Sequence, residues 1–174
     1  MVKKIIIELF VRVWTGYSMV GGVAIGLLAY FLCFSLLYPI AFILLINFFD
    51  LVGYGKIMAT NEIHSLDLYY ETLPYYRIMQ KSFSIILALT IYGLTNSWIL
   101  SLLCYASNFG GMQDVLYYFF GRYDWNQNYT WLKWSPYGLL IWKLSGRGLN
   151  KYEFIAQGII SFTFIILLVT IWKA

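Results

Sequence analysis

The sequence predicts an all-α integral membrane protein with three transmembrane helices, alternatively four, joined by short interfacial or re-entrant helices. Three observations predict it. Charged residues fill 11% of the 174 positions and hydrophobic ones 61%, whereas a soluble domain carries charge at about a quarter of its positions. Aromatic residues reach 21%, which suits long water–lipid boundaries where Trp and Tyr rings are favoured. Three stretches, 13–49, 82–113 and 154–172, hold no charged residue. Each is near or above the length of about 20 residues that a helix needs to cross a hydrocarbon core of roughly 30 Å.

The whole chain, 1–174, reads as one membrane domain. Residues 1–15 place Glu8 and Arg12 four apart among isoleucines, valines, Leu9 and Phe10, the pattern of an interfacial helix joined to the first span at Gly16. The start resembles a signal peptide but lacks a short apolar core with a cleavage site, so an uncleaved span is expected. The first span covers 18–49. A straight helix over 13–49 would reach about 55 Å, so a kink is expected near Pro39, which lacks the backbone donor. A hairpin at Leu37-Tyr38-Pro39-Ile40 is disfavoured because the turn has no polar residue to satisfy its backbone in lipid.

Residues 54–81 read as a polar loop with a short helix, capped by Thr60 or Asn61 and ending at Leu73 ahead of Pro74. The second span covers 82–108. Residues 109–153 form an aromatic interfacial loop in which the apolar pieces 112–120 and 137–144 are too short to span. The aromatic run 123–134 is expected at headgroup level. The last span, 154–172, ends on Trp172 and Lys173. Cytoplasmic flanks tend to hold Lys and Arg, and a cytoplasmic N-terminus in the three-span arrangement puts Lys3, Lys4, Arg12, Arg122, Lys133, Lys143, Arg147 and Lys151 inside.

The net charge of +4 comes from dispersed residues and makes no clustered basic face, so nucleic acid is not expected as a partner. Cys33 and Cys104 lie in apolar runs without metal or redox spacing and read as buried small hydrophobes. No nucleotide-binding loop is present: Gly146-Arg147-Gly148 follows no strand and precedes no Gly-Lys-Ser.

Two groups could carry chemistry. On a single helix His64, Asp67 and Glu71 fall at i, i+3 and i+7, so one face would offer an imidazole and two carboxylates, a donor set for a divalent transition metal. The competing reading is a solvated helix face. Asp114 follows Gly110 and Gly111 at the end of the second apolar run. A carboxylate among apolar residues at a membrane boundary is costly unless paired or hydrated, which makes Asp114 and Glu71 the candidate catalytic acid and base. Its competing reading is a favourable charge in a helix's first turn. Asp50, near Gly53 and Gly55, reads as the exit from lipid. Asn47, Asn96, Ser97 and Ser101 read as helix-packing groups, and Gly22 with Gly26 as a close-approach pair.

With thin polar content and no soluble domain, the leading expectation is an accessory or structural subunit of a larger membrane complex. Its partners would be the bilayer and other membrane subunits or a second copy. The alternatives are a small membrane enzyme acting on a lipid or apolar substrate through the carboxylate and histidine groups, and an ion- or proton-conducting subunit.

Overall fold

The computed structural model describes the backbone over residues 2–64, 66–121, 125, 129 and 135–173, and side-chain surroundings over 16–53, 73–121, 125, 129, 135 and 137–172. The described chain is all-α. Its helices are α1 (Val2–Phe31), α2 (Leu37–His64), α3 (Leu66–Thr95), α4 (Trp98–Ala106), α5 (Met112–Gly121), α6 (Pro136–Ser145) and α7 (Lys151–Lys173), with a 3-10 turn, Ser107–Gly110, between α4 and α5. Over Leu73–Thr95 and Lys151–Trp172 two helices are long and apolar enough to cross a membrane, while Gly16–Phe31 and Leu37–Gly53 are shorter apolar segments.

Both long uncharged runs are broken where the chain turns left-handed. Cys33 takes φ 51°. The Phe34 N–H donates to Ala29 O at 3.0 Å and the Cys33 N–H to Tyr30 O at 3.3 Å, the paired closure of a helix that ends on a left-handed residue. The expected kink at Pro39 is therefore replaced by a turn over 32–36. Pro39 sits in the first turn of α2, where its missing N–H has no partner to lose. No polar turn residue is needed, because the backbone satisfies itself. Asn96 does the same at the end of α3 with φ 51°, and the Ser97 hydroxyl accepts from Leu100 N to start α4. Asn tolerates this conformation better than most residues.

Three further expectations change. Residues 54–64 continue α2, and α3 passes through Pro74 instead of ending before it. α1 runs through Gly16 without a break; the side chains of 2–15, and with them the interfacial role assigned there, lie outside the described residues. Cys104 is fully buried, as expected, but Cys33 is exposed. The short apolar pieces become α5 and α6, the latter opened by Ser135, whose hydroxyl accepts from Gly138 N, and closed by Gly146 at φ 67°.

α1 and α2 pack as an antiparallel hairpin. A Cβ on Gly22 would lie 2.8 Å from the Leu45 side chain and 3.2 Å from Ala41 O, so only glycine permits this approach. Ala29, Tyr38, Phe42, Ile46, Ala88, Ile91, Leu100, Cys104 and Val169 form one core that draws on α1, α2, α3, α4 and α7. A second core joins Val115, Tyr118, Tyr129, Leu149 and Phe154. Tyr129 stacks on Phe154 at 4.3 Å and is buried, so this ring packs inside the protein; most of the aromatic run around it lies outside the described residues. The start of α7 is strongly specified. Asn150 Oδ1 accepts from Tyr152 N and Glu153 N, and Glu153 accepts in return from Asn150 N, a reciprocal cap. Arg147 holds Glu153 with two bonds of 2.7 Å, which raise the guanidinium above its ordinary value.

Candidate functional site

The polar centre of the molecule is Asp50, which lies on α2 and is only 6% exposed. Three neutral donors from two other helices reach it. The Tyr76 hydroxyl and Gln80 Nε2, the latter at 2.7 Å, donate to Oδ1, and Gln113 Nε2 donates to Oδ2. Tyr76 and Gln80 are four apart on α3 and so share a face; Gln113 comes from the first turn of α5. The Tyr76 ring fits because it stacks on Phe49 at 5.8 Å and lies against Gly53, where a Cβ would collide with it. Hydrogen bonds to a charged acceptor are worth about 1.5–3 kcal/mol each, and a carboxylate in an apolar bundle is tolerated only when so satisfied.

Asp114 follows Gln113, half-buried in the same turn of α5, and is close enough for the charge on Asp50 to bear on it. The turn is set by Gly111, whose φ of 81° favours glycine. α7 presses against it: a Cβ on Gly158 would lie 2.7 Å from Val115 and 3.3 Å from the Met112 backbone. Among the described residues the salt bridge joins Arg147 to Glu153, and no Lys, Arg or His pairs with either aspartate. Among the described residues, the two carboxyl groups thus have no basic partner.

Two polar pairs flank them. One turn before Asp50 on the same face of α2, Asn47 is fully buried and donates through Nδ2 to Ser18 Oγ of α1 at 2.9 Å. Ser18 spends its own proton on Leu44 O at 2.7 Å. The atom of Asn47 facing it must therefore be the amide nitrogen, and Asn47 Oδ1 is left buried with no donor. On the other side Asn108 donates to Ser84 Oγ at 3.2 Å, and Ser84 to Gln80 O at 2.9 Å.

Of the residues singled out in the sequence, Asp114 lies in this site. His64 ends α2 while Asp67 and Glu71 belong to α3, so the single helix that would align them is divided in two; their side chains lie outside the described residues. Asp50, Asn47, Tyr76, Gln80 and Gln113 were missed as a group. Asn47 and Asp50 at i, i+3, and Tyr76 and Gln80 at i, i+4, were readable as polar faces within apolar helices, but nothing in the sequence says that these faces meet. A second feature is an apolar groove of about 370 Å³ between α1, α2 and α3, lined in part by Gly26, Tyr30, Tyr38, Phe42, Thr90 and Leu94.

The chain matches no protein family, no curated protein and no solved structure.

Proposed function

We propose that this chain is a multi-pass integral membrane protein that serves as an ion- or proton-handling subunit of a membrane assembly, with Asp50 and Asp114 at its centre. The carrying observation is that Asp114, 64 positions from Asp50 in sequence, follows directly on the Gln113 that is hydrogen-bonded to Asp50, in a bundle whose described residues give Asp50 neutral donors and neither acid a basic partner. Intramembrane carboxyl groups are expensive and commonly mark ion pathways.

The membrane reading draws support from what the helices leave uncovered. Phe31, Leu89, Ile160 and Ile171 are among many large apolar side chains on the outer surface, the first 74% exposed, which water would not tolerate in such number. Lys and Arg suggest an arrangement of five crossings: α1, α2, α3, a broken fourth made of α4, the 3-10 turn and α5, and α7. Ser35, Thr95, Ser97, Val169 and Trp172 line one cavity, so the two tight turns and the end of α7 meet at one end of the bundle. Among the described residues Arg147 and Lys151 fall at the opposite end, where α7 begins, which the positive-inside rule makes cytoplasmic together with the N-terminus.

The test is ion flux in proteoliposomes holding the purified chain, alone and with any subunits that copurify in mild detergent. Flux that falls at least about ten-fold in Asp114→Asn supports the proposal; flux indifferent to both Asp50→Asn and Asp114→Asn overturns it. The groove between α1, α2 and α3 favours a second reading, an enzyme acting on a lipid. Its volume and apolar walls suit a hydrocarbon tail, and a lipid product formed by wild type but not by Asp114→Asn would favour it over flux.

A further inference from the structure

The acceptor oxygens around Asp50 outnumber the donors that reach them. Asp50 takes three hydrogen bonds of about four that a carboxylate can accept. Asn47 Oδ1 is fully enclosed and has none. It branches from the same amide carbon as the nitrogen committed to Ser18, and Asn47 stands one helical turn from Asp50 on the same face of α2. Asp114 adds a second carboxyl group on which the first one's charge acts. The orphaned amide oxygen is independent of the acid pair, and among the described residues no positive charge meets any of the three groups.

We infer that Asp50, Asp114 and Asn47 form an oxygen-lined site for a divalent metal cation of the calcium type, an inference that rests on the ion-handling reading above. The donor set is hard: two carboxylates and an amide oxygen, with no sulfur or imidazole, which suits calcium or magnesium and not the softer transition metals. Among the described residues no third His, Cys, Asp or Glu joins a metal-holding group, so the third ligand is the amide. Charge selects the valence. Two carboxylates in a low-dielectric interior are neutralised by one divalent ion, whereas sodium leaves a net negative charge buried. Calcium accepts irregular geometry and waters in its remaining positions, while magnesium demands a near-ideal octahedron. Gln113 and Tyr76 then position Asp50 through its other lone pairs, as outer partners do for metal-binding carboxylates.

The experiment is calorimetric titration of the full chain, purified in mild detergent in choline buffer, with calcium chloride, magnesium chloride or sodium chloride. The expected result is one calcium ion per chain. Asp114→Asn should weaken binding at least about ten-fold, since even the loss of an outer partner costs that much. Asn47→Ala should weaken it too. Ser18→Ala, which frees the amide nitrogen but keeps the oxygen, should leave binding in place and so controls for packing damage. Absence of calcium binding to the wild-type chain, unchanged affinity in Asp114→Asn, or equal binding of sodium overturns the inference. Flux that depends on Asp114 without calcium binding removes the metal site and keeps the ion-handling reading; calcium bound without any flux removes the reading instead.

Discussion

Around Asp50 each hydrogen bond can be removed separately. Tyr76→Phe deletes one donor to a carboxylate and is expected to cost about 1.5–3 kcal/mol, read from denaturation in detergent micelles. Asp50→Ala should cost more, because it leaves the Tyr76, Gln80 and Gln113 donors unpaired at once. Equal stability of Tyr76→Phe and wild type would show that the hydroxyl does not hold the carboxylate. Asp114 was visible in the sequence because a charge stands out among apolar neighbours. Asp50 was not, because it closes an uncharged run and so resembles a boundary residue. Its partners lie 26, 30 and 63 positions away, and only folding brings them together.

Among the helices, the elements that broke the sequence's expectations are the two left-handed turns. Cys33 and Asn96 are not glycine; the first turn holds Ser35 among apolar residues, while the second is the polar run Thr95-Asn96-Ser97, whose hydroxyls accept from Ser97 N and Leu100 N. The first turn closes on its own backbone bonds, so its signal lies in geometry and not in composition; the second was written in its polar residues, which in the sequence read as helix-packing groups. The existence and apolar character of the helices were legible, as was the closeness of Gly22 to a neighbour; the breaks at 32–36 and 96–97 were not. Asn96→Gly is expected to leave stability unchanged or slightly raised, while Asn96→Val should lose about 1–2 kcal/mol, the usual cost of a left-handed conformation for an L residue. Gly22→Leu should overpack the α1–α2 contact against Leu45 and the Ala41 carbonyl, losing about 1–3 kcal/mol. Thermal denaturation of the variants in one detergent checks both, and a Gly22→Leu chain as stable as wild type would mean that the hairpin packs elsewhere.

For the molecule as a whole, the cysteines report topology without engineering. Cys33 is exposed on the α1–α2 turn and Cys104 is fully buried. In sealed vesicles of known orientation, a thiol reagent that cannot cross lipid is expected to modify Cys33 from the non-cytoplasmic side and to spare Cys104. Modification of Cys33 from the cytoplasmic side alone would invert the five-crossing arrangement. The break at Ser107–Gly110 was hidden in the sequence because it lies inside one uncharged run, and the helices on either side of it, α4 and α5, are each about ten residues long.

The rings of Tyr118, Trp125, Tyr129 and Phe154 lock together, and they fasten the far end of α5 to the root of α7. Since Gln113 and Asp114 ride on the near end of that same ten-residue rod, a tug on α7 or on the stretch that follows α5 would travel down it and change the spacing of the two acids while α2 stands still. The aromatic knot thereby ties the position of the acid on α5 to the root of α7.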